Sequence, residues 1–303
     1  MTQRGEPEAR EACADRGGLS NFLRSLLSGI PWSESASAEE RAELSTPSGR
    51  VIEVENANGR TRIVGEDRDD VVLLAIKHAR AESQQAAERL LGEIQIGQDE
   101  VGGILQLQIE IPRRWNRHGS VDLEVHVPRD VEVRVCSDSG KVCLQGLRCG
   151  CRARSSNGSV RLNDIAGDID VTTANAKVSC ACTRGRLVCR SSNGMIEVGE
   201  HSGSIDASTS NGLIRASIER LATEGVTLAT SNGRIVLELP EEPDAEVDIR
   251  VDNGVIRNEL SLGHRSDDGN GRLRGRLGRG GTPIKLRTSN GTISLRATES
   301  HQR

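Results

Sequence analysis

Between Val142 and Ala216 the chain alternates apolar and polar positions in short runs: SVRLN, DIDVT, KVSCA, RLVCR, MIEVG, SIDAS and LIRAS. Period-two alternation marks a strand with one buried face. Turn residues separate the runs, and they recur. Asn157, Asn175, Asn193 and Asn211 stand 18 residues apart. Glycine turns fall at half that interval, at Gly140, Gly158, Gly167, Gly185, Gly194, Gly203 and Gly212; Ala176 and the neighbourhood of Cys149 depart from the pattern. Nine residues therefore make a half-coil and 18 a full coil.

Residues one coil apart fall into four apolar columns. Val142, Val160, Val178, Ile196 and Ile214 form the first; Leu144, Leu162, Cys180, Val198 and Ala216 the second. On the opposite half lie Cys151, Ile169, Leu187 and Ile205, then Val135, Ala153, Val171, Cys189 and Ala207. Small aliphatics can fill a narrow tube without aromatic rings, so the expectation is an all-β, single-stranded parallel β-solenoid with a rise of about 4.8 Å per coil. Each Asn-Gly is expected at a corner that needs a positive φ. The amides should stack into a turn ladder of Asn157, Asn175, Asn193, Asn211, Asn232, Asn253 and Asn290, with Ser155, Thr173, Ser191 and Thr209 beside it. The step from Asn211 to Asn232 implies a three-residue insertion near SIERLATEG. The Gly/Arg stretch 263–281 reads as a mobile loop whose arginines are either solvated or set against phosphate or an acidic partner.

Residues 49–135 follow another pattern. Two or three strands with a turn at Asn58-Gly59 precede a helix over AESQQAAERLLGEI, with Ala86, Leu90 and Ile94 on one face. GILQLQIEIPRR and SVDLEVHVPRDVEVRV then alternate cleanly. This part is expected to cap the solenoid, which occupies 136–303, because an exposed coil edge invites strand addition. The segments IEVENANGRTRIVGEDRDDVVL, HARAESQQAAERLLGEI, VDLEVHVPRDVEVRV and LRTSNGTISLR, with the Asn-Gly coils, resemble the bacterial putative-adhesin family called domain of unknown function 4097. The resemblance runs as one continuous domain over 49–297. It implies a β-solenoid with no known enzymatic activity and no agreed ligand, and it transfers no catalytic residue.

Residues 1–48 read as a flexible leader. Leu19, Phe22, Leu23, Leu26, Leu27 and Ile30 make one apolar stripe of a short helix, and SAEERAEL at 37–44 looks like a capping-box helix start with Ser37 and Glu40. Three roles stay open for the leader: docking on its own solenoid or on a partner, ordering only when a partner is met, and membrane contact. The last is disfavoured because only Arg24 lies on the polar face.

Composition narrows the function. The net charge is −4 and aromatics make up 1% of the 303 residues, so neither an overall basic field nor stacking platforms for nucleic acid are present. No run is long and apolar enough for a membrane span, and the charged N-terminus lacks a signal-peptide core. The expectation is a cytoplasmic protein with reduced cysteines. Calcium, zinc and other cofactors are not expected. The corners lack the glycine-aspartate turns of calcium-binding rolls, and no two of the eight cysteines share a column one coil apart, as zinc would require. Cys151, Cys180 and Cys189 read as small core residues, with Cys180 and Cys189 able to meet across the core. Asp168, Asp170, Asp206 and Glu197 face outward without an acid–base pairing. The histidines at 78, 118, 126, 201, 264 and 301 are dispersed, so no nucleophile–base pair emerges. The reading is a non-enzymatic interaction or scaffold protein for an unknown protein partner, with an envelope-linked setting left open. The alternative is self-association into filaments, and the third reading a carbohydrate- or surface-binding adhesin.

Overall fold

The computed structural model describes residues 34–112, 114, 118–267, 269 and 271–298, so the apolar stripe Leu19–Ile30 lies outside the described residues. The described chain is nearly all β, with one helix. Its centre is built from β8 (Glu132–Ser139), β9 (Val142–Gln145), β10 (Cys151–Ser155), β11 (Val160–Ala166), β12 (Ile169–Thr173), β13 (Val178–Ser191), β14 (Ile196–Asn211) and β15 (Ile214–Leu239). These strands pair in parallel along two faces. On one, Val133, Cys151, Ile169, Leu187, Ile205 and Val226 are successive partners. On the other, Val142, Val160, Val178, Ile196 and Ile214 are. All four apolar columns point inward, and every residue in them is at most 3% exposed. Burying each Val, Leu or Ile is worth about 1.5–3 kcal/mol, which suffices to hold a core without rings. The three extra residues before Asn232 fall between Leu221, which pairs with Gly203, and Val226, which pairs with Ile205.

A fifth inward column, not anticipated from the alternation, runs through Leu147, Ile165, Thr183, His201 and Ile218, all buried. Its signal was the same 18-residue offset from Leu147 to His201, with a 17-residue step to Ile218 across a register shift, hidden because Thr and His interrupt the aliphatics.

Towards the N-terminus the parallel ladder continues. β2 (Val51–Asn58) and β3 (Thr61–Glu66) lie on β8 and β9; β6 (Ile104–Glu110) and β7 (Gly119–Pro128) lie on β2 and β3. Antiparallel strands then close the end: β4 (Asp70–Ala81) on β7, β1 (Glu34–Ser45) on β4, and β5 (Gln95–Val101) on β6. The boundary expected after residue 135 falls inside β8. The helix α1 (Gln84–Glu93) starts at Ser83, whose Oγ accepts from the Ala86 amide at 3.2 Å, and it buries Ala87 and Leu90, with Ile94 at its C-cap. Ala87, not Ala86, is the inward alanine.

Three expectations are corrected. Residues 37–44 do not start a helix: they form β1, because the edge of β4 offers backbone partners and Ala42 and Leu44 find the core. Helix propensity is a weak prior against that. The Gly/Arg stretch is not a loop throughout. β17 (Gly263–Asp267) and β18 (Arg272–Leu277) form antiparallel strands on β16 (Ala245–Asn258), with Leu273 and Leu277 buried. The Asn-Gly corners at Gly158, Gly194, Gly212 and Gly233 do not use a positive φ. Glycine is needed there because the preceding coil's backbone is too close for a Cβ. Positive φ is found at the Asn-Gly corners of Gly254 and Gly291, as expected, and at the opposite corner, at Gly150, Gly167, Gly185 and Gly203.

The C-terminal order is also not sequential. β19 (Thr282–Ala297) lies between β15 and β16, pairing Val226 with Ile284 on one side and Val247 with Ile284 on the other.

Candidate interaction surfaces

The seven asparagines expected as a turn ladder are placed in one exposed line. Asn175 Nδ2 donates to Asn157 Oδ1 at 3.1 Å, Asn193 to Asn175 at 3.0 Å, and Asn211 to Asn193 at 2.8 Å. The line then follows space, not sequence: Asn232 donates to Asn211 at 3.0 Å, Asn290 to Asn232 at 2.8 Å, and Asn253 to Asn290 at 3.2 Å. Every donor points the same way, so each amide is oriented by the one beneath it. The Ser/Thr column lies beside it and is largely buried; Ser155 Oγ bonds both ends of Gly158, while Thr173 and Ser191 have hydroxyls without a partner.

Outward columns carry the remaining chemistry. Asp170, Val188 and Asp206 are successive partners across strands, so a valine separates the two carboxylates. Asp206 is held by Arg190, and Glu197 by Lys177. Asp168 and Asp170 line a shallow cleft of about 300 Å³ with Arg152 and Arg186. Solvated ion pairs of this kind contribute little stability.

The cysteines divide by direction. Cys151, Cys180 and Cys189 are buried; Cys136, Cys149 and Cys182 are exposed. The Cys180 and Cys189 thiols meet across the core, and that hydrogen bond, then burial, raises Cys189 well above the ordinary thiol value. Burial pushes Cys151 up to about 12. Cys182 Sγ lies 3.0 Å from Glu200 Oε2, and this bond raises its pKa despite exposure.

His201 is fully buried. Its Nδ1 is 2.9 Å from Thr183 Oγ1 and its Nε2 3.2 Å from the Ser204 carbonyl. A neutral ring that donates from Nε2 and accepts from the Thr183 hydroxyl satisfies both contacts, and burial lowers its pKa below the ordinary 6.5. His126 Nδ1 sits 2.8 Å from Glu66 Oε1, and that bond chiefly lowers Glu66.

A cleft of about 760 Å³ opens where the Asn58-Gly59 and Ser139-Gly140 corners meet the ends of β1, β4 and β7. Arg60, Arg80, Lys141, His78 and His118 line it, with Asp122 as its carboxylate. A groove of about 540 Å³ lies at the other end of the ladder, lined by hydroxyl side chains, Arg250 and Arg287.

These features define a nearly all-β repeat protein whose groups are arranged along surfaces, not gathered into one pocket. The chain belongs to the Toastrack DUF4097 family, whose model matches residues 50–296. No curated protein matches it. Among solved structures it is similar to an adhesin, described as putative, from Parabacteroides merdae (10% identity, 86% of this chain and 96% of that one, TM-score 0.47). It is also similar to one from Bacteroides fragilis (12%, 86% and 97%, 0.38) and to a putative lipid binding protein from Parabacteroides distasonis (10%, 86% and 97%, 0.35).

Proposed function

We propose that the chain is a non-enzymatic interaction or scaffold protein, a single-stranded parallel β-solenoid that presents rows of outward side chains to a protein partner in an envelope-linked setting. One observation carries the reading. Along the first face, Arg134, Arg152, Asp170, Val188, Asp206 and Thr227 are consecutive cross-strand partners. Neighbouring strands lie about 4.8 Å apart, so the row is a rigid ruler of both charge signs with an apolar step. Mixed charge at fixed spacing suits a folded protein surface, where complementarity selects the partner.

The test is in-cell cross-linking of the full chain against a variant carrying Arg152→Glu and Val188→Glu, both positions being outward. A defined cross-linked protein that disappears in the variant, with an unchanged melt, supports the reading. Identical cross-linking by the variant, or steady turnover of a glycan or ester by pure protein, sinks it.

Self-assembly has one observation in its favour. Among the described residues, Val255–Asn258 of β16 pairs only with β19, and Val255 is 54% exposed. An unpaired edge can accept a second copy. A molar mass independent of concentration by light scattering would remove this alternative.

A further inference from the structure

The mixed row runs on from Thr227 through Lys285, Asp248 and Arg274 where β19, β16 and β18 meet, and the row beside it is wholly basic there. Arg272, Arg250 and Arg287 are direct cross-strand partners. One row away, Arg274 and Lys285 flank Asp248 in the same register. Asp248 is shared: Arg272 bonds it at 3.0 Å, and Arg274 and Arg250 approach to 3.6 and 3.8 Å. Among the described residues, Arg287 and Lys285 have no carboxylate within ion-pair reach, so three cations compete for one carboxylate and two more stand free.

The groove adjoins this cluster. Arg287 pairs with Ala229, and Ala229 with Ser208, so two small residues leave a dip beside the arginines. Ser210, Ser231, Ser289 and Thr288 supply hydroxyls around it, and Asp252 is its carboxylate. Thr230 in its wall is 6% exposed, and its Oγ1 has no hydrogen-bond partner; nor does the buried Nε of Arg250.

We propose that this groove binds a linear acidic polysaccharide. Its uronate carboxylates lie across the Arg272–Arg250–Arg287 row, and its sugar hydroxyls lie along the serines and threonines. A guanidinium recognises a carboxylate in two-pronged fashion. Neighbouring strands lie about 4.8 Å apart, so the arginines form a fixed ladder that carboxylates spaced along one polymer can meet. A nucleic acid fits less well, because none of the described residues lining the groove is aromatic and able to stack a base. The site stands independently of the protein partner above, whose row lies on the mixed-charge part of the face.

The experiment measures binding of the full chain to polygalacturonate, with dextran and poly(dT) as comparison polymers. Expected is saturable binding to polygalacturonate that weakens at least about tenfold between about 0.05 and 0.5 M salt, and no binding to dextran. Arg274→Ser with Arg287→Ser, both exposed, should weaken it at least about tenfold while the melt stays that of the parent. Arg80→Ser, in the N-terminal cleft, should leave it unchanged. Absent binding, equal affinity for dextran, tighter binding of poly(dT), equal binding by the double variant, or an equal loss with Arg80→Ser would each overturn the assignment.

Discussion

A methyl group added at Gly158 would stand 1.5 Å from the carbonyl oxygen of Gly140, one coil below. That atom is backbone, at the corner between β8 and β9, and not the free end of a flexible side chain. Gly158→Ala should therefore cost several kcal/mol, about 3 or more, as overpacking and ladder breakage combine. Gly199 has nothing within 4 Å of the same added carbon and no positive φ, so Gly199→Ala should be neutral or gain about 0.5 kcal/mol. Paired thermal melts separate the two, and similar melts would refute the close-approach account. His201 gives a second prediction at this scale. Unfolded, it binds a proton below about pH 6.5; folded, burial holds it neutral to lower pH. The unfolded state then binds more protons in that window, so stability is present above pH 6.5 and falls as the pH drops, by at most about 1.4 kcal/mol per unit. His201→Gln should flatten melts between pH 7.5 and 5.5 relative to the parent; an unchanged slope would show that the ring is not the sensor. The thiols make a third. Cys151, Cys180 and Cys189 should resist alkylation in the native protein and react on denaturation, whereas exposed Cys149 should react first and exposed Cys136 and Cys182 more slowly, because their pKa values are raised; mass spectrometry after timed labelling reads the difference.

At the scale of the element, the repeat sets what can be removed. Each central strand pairs with residues 18 on, so excising 159–176 would seat Val178 directly on Val142 and Asn193 on Asn157. The shortened chain should fold with a cooperative melt within several degrees of the parent. Excising only 159–167 preserves alternation but stacks one corner on the other. The asparagine line breaks and the C-terminal strands meet the wrong face, so that chain should melt far lower; equal stability of the two deletions would refute the coil register. This register was legible in the sequence because apolar columns and Asn-Gly corners both report it. The strand β1 was not. Ala, Glu and Arg favour a helix locally, and only the waiting edge of β4, distant in sequence, reverses the choice. β17 and β18 were hidden for a related reason: the glycines among Leu273 and Leu277 mask alternation and resemble a loop. The basic groove was therefore half visible, since its arginines could be counted but the strands that align them could not be seen.

For the whole molecule, the decisive feature is that β19 enters the ladder between β15 and β16. Sequence spacing says which residues can stack, but leaves open the order in which coils stack, and a final step from Asn253 to Asn290 is equally consistent with a long loop and with a return into the middle. The bonds Asn290→Asn232 and Asn253→Asn290 decide for the return. The consequence is a cooperative C-terminal half. In a strictly sequential stack, deleting the last coil would shorten the molecule and leave the remainder folded, since neighbours supply most of each coil's stability. Here a chain ending at Gly281 loses the parallel partner of β16 and strips one side of β15 from Val226 to Leu239, exposing Leu228, Ile235 and Leu237, each fully buried in the intact protein. Losing three such side chains from the core costs several kcal/mol, about 5–9, comparable to the whole stability of an ordinary domain. The truncated chain should aggregate or lose its cooperative melt, and adding residues 282–298 as a separate peptide should restore it at concentrations above the peptide's Kd. A truncated chain that melts as a single transition near the parent's temperature would mean that β19 decorates the stack without closing it.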